Sequence, residues 1–223
     1  VNQDRNIFGS CMVACGDADG MVTGVTRPFA VAYSEVTRVI DTKKGECPMG
    51  ITMVMAQKYT ILIADSGVHE LPTSENLADI ACGAATYARK LGQEPRVAIL
   101  SFSNFGQPKR PQMERVRRAV TLLDDRKVDF EYDGEMTTDT ALDFELMQRI
   151  YPFCRLSGPA NVLVMPDLHS ASISSKLLHA QGDGGVIGPI LEGLSKPVQI
   201  VQLGSRVSDL INAGAIAAYD AIA

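Results

Sequence analysis

The feature that most constrains the fold is a pair of strand–turn–helix units in the last third of the chain. Two apolar runs typical of buried strands, NVLVMPD at 161–167 and VQIVQLG at 198–204, each lead through a polar turn into a helical pattern. Such a unit directs backbone N–H groups and the positive end of the helix dipole towards whatever lies above the sheet. The sequence therefore predicts an anion-binding edge, suited to a phosphate, where these strands end.

Apolar runs bounded by turn residues recur along the rest of the chain. We predict further strands at IFGSCMVAC, GITMVMA, YTILIADS, RVAILSF and VDFEYDG, and helices at 29–42, 74–91, 112–125, 139–151, 170–180 and 207–222. Strands that alternate with helices predict an α/β fold with a largely parallel sheet. GITMVMAQKYTILIAD interrupts the alternation, because its two strand patterns meet at Gln57-Lys58 as in a hairpin. The sheet should therefore be mixed.

Composition and charge exclude several classes of function. The net charge of −5 over 223 residues argues against nucleic acid as the main partner. The longest apolar runs have the length of strands, so we predict no membrane span, and no signal peptide precedes them. The five cysteines form no CxxC motif and none has zinc-ligand spacing with histidine. We therefore expect reduced thiols, no metal site and a cytoplasmic location.

The turn after the strand at 161–167 supplies the first candidate ligand-binding residues. Ser170 is a candidate N-cap, and Ser172 lies near the exposed first turn of the helix. Their hydroxyl groups either hold a phosphate or carbonyl oxygen, or simply cap the helix. His169 lies beside the same turn, either in reach of a ligand or at a solvated helix start.

Two glycine-rich segments allow a structural and a functional interpretation. Gly184 and Gly185 belong to the most glycine-dense segment, which either ends a helix and shapes a connection or lets a pyrophosphate approach the backbone. It is no dinucleotide fingerprint, because it follows a helix and Ile187 stands at the third glycine position. Asp17 and Asp19 lie in GDADG, for which a tight turn is favoured over a calcium loop.

Several long segments resemble one known family in order and spacing. They are GDADGMVTGV, GPANVLVMPDLHSASISSKLL, GDGGVIGPILEGLSKPVQIV and QLGSRVSDLINAGAIAAYDA, and they resemble the phosphotransacetylase (phosphate acetyl/butyryltransferase) family. IFGSCMVACGDADGMVTGV, VDFEYDGEM, YPFCRLSGPANVLVMP and KPVQIV look more narrowly like the C-terminal phosphotransacetylase-like domain of hybrid, multifunctional NADP-dependent malic enzymes.

The resemblance carries expectations about the fold and the domains. It implies a three-layer αβα fold of the isocitrate dehydrogenase-like kind, with two subdomains flanking a cleft. Residues 1–157 would form the central subdomain, and residues 158–223 would return to the first subdomain. A family N-terminal segment and the malic-enzyme domain are expected to be absent, since the chain begins at Val1 near a mid-domain segment of the family.

The same resemblance makes 201–210 the decisive segment for catalysis. Active phosphotransacetylases carry a DLSRG-type phrase here, whose serine and arginine, with a downstream aspartate, serve the CoA thiol and the acyl phosphate. Matched position by position, the serine falls on Gln202, the arginine on Leu203 and the aspartate on Asp209. The carboxylate would remain while the cation is lost, so no catalytic transferase site is expected. Arg206 could replace the cation only after a shift of the loop, and Asp209 could instead stabilise the helix start.

The leading hypothesis is therefore a regulatory binding domain. The resemblance implies that it binds acetyl-CoA, or a related acyl-CoA, as an effector, inhibits a malic-enzyme domain in cis and helps to build a homo-oligomer, with a dimer expected. The oxidation of malate to pyruvate and CO₂, with its NADP and divalent metal, would belong to the absent domain. The expected ligand-binding residues are Ser170, Ser172, Gly184, Gly185, Gln202, Ser205 and Asp209.

Two alternatives remain open at this point. One is an active phosphate acetyltransferase that uses Asp209 as a base and Arg206 as the charge partner. The other is a purely structural dimerisation domain with a vestigial cleft.

Overall fold

The computed structural model describes residues 4–55, 59–181 and 185–222. In chain order the elements are α1 (Arg5–Cys15), β1 (Met21–Gly24), α2 (Phe29–Val36), β2 (Met49–Met55), β3 (Thr60–Ala64), α3 (Ser74–Lys90), β4 (Arg96–Leu100), a 3₁₀ turn (Pro111–Met113), α4 (Glu114–Arg126), β5 (Glu131–Met136), α5 (Thr138–Leu142), α6 (Phe144–Ile150), β6 (Val162–Val164), α7 (Leu168–Gln181), β7 (Gly185–Glu192), β8 (Val198–Val201) and α8 (Val207–Ile222).

Six strands form a mixed sheet in the order β5-β4-β6-β3-β2-β7. The pairs β4–β5, β4–β6 and β3–β6 are parallel, whereas β2 runs antiparallel to both β3 and β7. The predicted mixed, mostly parallel sheet is confirmed, and so is the antiparallel pairing of GITMVM with TILIA. The predicted hairpin turn at Gln57-Lys58 lies outside the described residues.

The six-stranded sheet is covered by helices on both faces because its strands are apolar on both sides. In β3, Leu62 packs on one face with α3 and α4, while Ile61 and Ile63 pack on the other with α5, α6 and α7. Neighbouring side chains of a strand point to opposite faces, so a continuous apolar run buries both. The predicted three-layer αβα arrangement is confirmed.

A second, two-stranded parallel sheet pairs β1 with β8. It packs against α1, α2 and α8 around a separate cluster that includes Val13, Val36 and Ile200. Strands from both sides of the predicted boundary at 157/158 share the larger sheet, since β6 lies between β3 and β4. The strand order draws no boundary there, and the division into subdomains 1–157 and 158–223 stays a prediction.

The prediction of a strand at IFGSCMVAC was wrong, because these residues form α1. The Asp4 side chain accepts hydrogen bonds from the N–H groups of the first turn, and Gly16 ends the helix in the left-handed conformation at φ +83°. The buried positions are Asn6, Ser10 and Val13, spaced four and three residues apart as on one helix face. An apolar composition had concealed this helical period.

Other differences concern the ends of elements. The sequence pattern did not predict β1 or β7, and the expected helix at 139–151 is interrupted at Asp143, whose carboxylate caps α6 by accepting from Leu146 N–H. The expected helix at 29–42 ends at Val36. In the described residues, no helix is long and apolar enough to cross a membrane, and no three side chains are grouped as metal ligands.

Candidate functional site

A cavity of about 260 Å³ lies where the two sheets meet. Its walls come from β7 of the larger sheet, β8 of the smaller sheet, and helices α7 and α8. We call Thr52, Gly188 and Gln199 the cavity floor, and the turn 202–206 together with Asp209 the rim.

Gln199 joins the two sheets beneath the cavity. Its side chain accepts from Leu191 N–H at 2.9 Å and donates to Leu191 C=O at 3.1 Å, and the residue is 2% exposed. A buried amide is tolerated when its hydrogen bonds are made inside the protein. β8 is therefore held beside β7 without a shared strand ladder.

Gly188 shapes the floor by letting β7 approach β2 closely. Its φ is +139°, and a Cβ there would lie 2.7 Å from Ile51 C=O and 3.1 Å from Thr52 Oγ1. The register of β2 against β7 shifts between Ile51 and Met53, beside this glycine. The irregularity opens the strand pairing next to the cavity, a frequent property of β-bulges near binding sites.

The rim is a turn that leads from β8 into α8. Asp209 Oδ2 accepts from Arg206 N–H at 2.7 Å, and Asp209 N–H donates to Arg206 C=O at 3.0 Å. This is the reciprocal half of a capping box, so Asp209 stabilises the start of α8. Leu203 is 56% exposed at the edge of the cavity.

Three basic side chains line the same cavity. Lys176 and His179 come from α7, three residues apart on one helix face, and Arg206 comes from the rim. Among the described residues, none of the three forms an ion pair within 4.0 Å. Asp209 is the one acidic residue among the described residues of the lining, so this part of the cavity suits an anionic ligand.

The structure brings together some of the predicted site residues. Gln202, Ser205, Arg206 and Asp209 all line the cavity. Gly185 begins β7 outside the lining, and Gly184 lies outside the described residues. Their roles in ligand binding stay predictions.

The expected N-cap role of Ser170 was wrong. Asp167 caps α7, because its Oδ1 accepts from Ser170 N–H at 2.8 Å, and the Ser170 hydroxyl group donates to Asp167. Neither Ser170 nor Ser172 lines the cavity. One turn further along α7, Ser175 and Lys176 do so.

Sequence reasoning missed the basic residues of α7 and the floor. The three-residue spacing of Lys176 and His179 places them on one face of a helix. The sequence does not indicate which face of that helix packs towards β8. Gln199 and Thr52 lie inside strand patterns, where an isolated polar residue gives no indication of its partner.

A second cavity of about 380 Å³ lies under the opposite side of α7 and has a different character. Its lining includes Ile61, Leu163, Met165, Leu177 and Leu178, and none of the lining residues that the structure describes is charged. A phosphate-bearing ligand loses hydration without finding a counter-charge there, so the first cavity is the better candidate for an anion.

Fold and cavity together define a three-layer α/β protein with an anion-suited cavity at a strand–turn–helix. Residues 1–218 match the phosphate acetyl/butaryl transferase family, and the chain belongs to this family. The resemblance seen in the sequence is confirmed.

The chain is similar to two kinds of curated relative. It is 56% identical over 221 residues to the NADP-dependent malic enzyme of Rhizobium meliloti, covering 99% of the chain and 29% of that enzyme. It is 33% identical to the phosphate acetyltransferase of Bacillus subtilis, covering 98% of the chain and 68% of that protein. The chain thus spans less than a third of the length of the malic enzyme it matches.

Among solved structures, a phosphotransacetylase from Streptococcus pyogenes superposes with a TM-score of 0.90 at 34% identity. The superposition covers 97% of this chain and 67% of that one. Its extent supports the same fold over nearly all of the chain.

Proposed function

We propose that the chain is an acyl-CoA-binding regulatory domain of an NADP-dependent malic enzyme and is inert as a transferase. The observation that carries the proposal is the rim, where an exposed Leu203 stands at the position that the resemblance gives to a catalytic arginine. The higher identity to a malic enzyme than to a phosphate acetyltransferase supports the same assignment.

The rim favours binding over catalysis for electrostatic reasons. Arginine holds a phosphate or carboxylate through two parallel charged hydrogen bonds, which leucine cannot make. Loss of a preorganised donor at a developing oxyanion costs on the order of 10²–10³ in rate. Lys176 and Arg206 still supply positive charge for the phosphates of acetyl-CoA, and the His179 ring can donate a hydrogen bond.

Regulation makes a further thermodynamic demand. Acetyl-CoA must bind one arrangement of the malic-enzyme domain or of the subunits more tightly than the other, because equal affinity shifts no equilibrium. Malate oxidation, NADP and the divalent metal then belong to the malic-enzyme domain in cis, and the homo-oligomer is the expected carrier of the signal. In this proposal the whole protein works in the cytoplasm.

Calorimetric titration with acetyl-CoA tests the binding. Arg206→Ala and Lys176→Ala should each weaken the affinity for acetyl-CoA about tenfold, since a hydrogen bond to a charged group contributes about 1.5–3 kcal/mol. Ser205→Arg should weaken it by filling the cavity, and a bulky replacement of Gly184 tests the predicted role of that glycine. Arg149→Ala, on α6 and away from both cavities, is the matched control and should bind normally.

Two results would contradict this assignment. Unchanged affinity in the Arg206 and Lys176 variants would place the ligand elsewhere. Complete absence of binding heat would support a purely structural dimerisation domain whose cavity is vestigial.

A second candidate function is an active phosphate acetyltransferase, and the position of Arg206 favours it. Arg206 lines the same cavity as Asp209. It could therefore supply the positive charge that family members carry at the position of Leu203. The test is an assay for acetyl phosphate formed from acetyl-CoA and phosphate. We expect no turnover from the wild-type protein.

Asp209→Asn and Asp209→Ala separate a catalytic role of Asp209 from its capping role. Asparagine keeps an oxygen that can accept from Arg206 N–H, but it is not a base. Turnover in the wild-type protein that both variants abolish would establish the transferase and sink the inert assignment.

A further inference from the structure

Cys47, His69 and Asp65 form a connected group outside the cavity. Cys47 lies just before β2, and the other two lie in the turn that follows β3. His69 Nε2 is 3.6 Å from Cys47 Sγ, and His69 Nδ1 is 2.7 Å from Asp65 Oδ2. The imidazole ring therefore stands between a thiol and a carboxylate.

Asp65 is fixed in place by its surroundings. Its side chain is 2% exposed, and its two oxygens accept from the backbone N–H groups of Gly50, Gly67, Val68 and His69. A carboxylate held in this way cannot rotate away from the histidine. Asp65 accepts a hydrogen bond from Nδ1 of His69. This contact fixes the orientation of the ring, so that Nε2 faces Cys47 Sγ.

The charge of the ring follows from the same contacts. Hydrogen bonding to Asp65, and after it to Cys47, raises the pKa of His69 to about 10 against the opposing effect of burial. Tyr33 on α2 is the further titratable group near this pair, and burial, with the charges of Asp65 and Cys47, raises its pKa. At neutral pH the sulfur therefore faces an imidazolium ion, which is the setting that activates a thiol.

We propose that Cys47 is a nucleophilic thiol, positioned by His69 and Asp65, and is a site of oxidation by hydroperoxides. The Cys47 thiol gives its proton to solvent as the sulfur attacks one oxygen of hydrogen peroxide. The O–O bond breaks, and the leaving hydroxide takes the proton from His69 Nε2 to become water. Cysteine loses two electrons to become a sulfenic acid, and the peroxide is reduced. His69 then regains a proton from solvent.

The remaining four cysteines lack this arrangement. Burial raises the pKa of Cys154 to about 11 and also raises that of Cys82, which disfavours their thiolates. Cys11 and Cys15 lie on α1, where Cys15 is exposed and has no histidine within hydrogen-bonding distance among the described residues. Cys15 thus serves as an internal reference for a freely accessible, unactivated thiol.

The first test measures alkylation of the complete natural protein by a limiting amount of iodoacetamide, with each cysteine quantified by mass spectrometry at pH 6.0 and pH 8.5. Cys47 is half-buried and should nevertheless react about tenfold faster than Cys15 at pH 6.0. The reason is the His69 ring nitrogen 3.6 Å from Cys47 Sγ, because a positive charge there favours negative charge on the reacting sulfur, and Cys15 has no such partner among the described residues. A Cys47 rate no higher than that of Cys15 at pH 6.0 would overturn the proposal without any variant.

His69→Gln is the matched substitution, and His179→Gln is its control. The positioning role of His69 is supported if, at pH 6.0, Cys47 no longer reacts faster than Cys15 in His69→Gln but still does so in His179→Gln. The alkylation rate of Cys15 should be unchanged in both variants. An unchanged Cys47 rate in His69→Gln overturns it.

The second test exposes the protein to hydrogen peroxide and traps sulfenic acid with dimedone. We expect the adduct at Cys47 ahead of every other cysteine, and several-fold less of it in His69→Gln. Rapid alkylation without a dimedone adduct at Cys47 would overturn the assignment as an oxidation site.

Discussion

Gln199 on the cavity floor and Gln202 on the rim lie on the same stretch of chain, but their surroundings differ completely. Gln199 is buried, and both ends of its amide are bonded to Leu191. Gln202 is half-buried at the mouth of the cavity and has no side-chain hydrogen bond within the described part of the chain. The floor is a saturated framework, whereas the rim leaves polar groups available.

The difference shows which residues can respond to a ligand. A buried side chain whose hydrogen bonds are all made inside the protein loses those bonds if it turns towards a ligand. Each buried donor or acceptor left without a partner then destabilises the fold by about 1–3 kcal/mol. A rim residue that is open to solvent can exchange a water molecule for a phosphate oxygen at little cost in free energy. Floor substitutions should therefore act on stability and rim substitutions on affinity.

Two glycines test this comparison with the largest expected effect. Gly188→Ala places a Cβ against Ile51 C=O at a φ that side chains rarely adopt, and should cost about 3–5 kcal/mol of unfolding free energy. Gly204→Ala on the rim, at φ +76° with no atom within 4 Å, should cost about 1–2 kcal/mol. Urea unfolding of both variants measures the difference, and equal losses would contradict the distinction between floor and rim.

The two glutamines provide the next test. Gln199→Leu leaves both Leu191 N–H and C=O unpaired in a buried place, so we expect a loss of about 2–3 kcal/mol. Gln202→Leu should change the unfolding free energy by less than about 0.5 kcal/mol, as surface substitutions usually do. A large loss in Gln202→Leu would show that the rim is part of the framework.

Much of the fold was predictable because period and length are local properties. The apolar runs of β2, β3, β4 and β6 and the regular pattern of α3 gave elements of the correct type. α1 was predicted wrongly, since its apolar residues hide a helix that is fixed by a cap at Asp4 and a turn at Gly16. β7 was missed because glycines and a proline weaken the strand pattern, and only pairing with β2 makes it a strand.

The candidate site was predictable in part, for the same reason. The rim residues follow one another in sequence, so the resemblance of one short segment to the family was sufficient to select Gln202, Ser205 and Asp209. Lys176 reaches the cavity from a different helix, and the relation between α7 and β8 is a long-range property. The pairing of Cys47 with His69 depends on the meeting of two loops and was equally hidden.

Glu192 at the end of β7 is an exception within the framework, because it is largely buried without full pairing. Its side chain is 23% exposed, Lys90 Nζ lies 3.6 Å from Oε1, and that oxygen has no hydrogen-bond partner in the described residues. Burial raises the pKa of Glu192 to about 7 from 4.5, with Lys90 opposing the rise. Between pH 4.5 and about 7, Glu192 is therefore mostly protonated in the folded protein and mostly ionised in the unfolded chain.

The sign of the pH dependence follows from that raised pKa. The contribution of Glu192 to stability is complete below pH 4.5 and is lost as the pH rises to about 7. Glu192→Gln removes the titration, so its unfolding free energy at pH 8 should exceed that of the wild type by about 1–2 kcal/mol, with little difference at pH 4.5. The effect is smaller than the full pKa shift would give, because the side chain is 23% exposed and lies near Lys90.

Glu46→Gln is the matched control, since Glu46 is exposed and paired only with Lys43 among the described residues. Urea unfolding at pH 4.5, 6 and 8 should give parallel curves for this variant and the wild type, because a solvated carboxylate carries little folding energy. If Glu192→Gln also runs parallel to the wild type, Glu192 is solvated like the rim residues and the framework is less closed at this end of β7 than its burial implies.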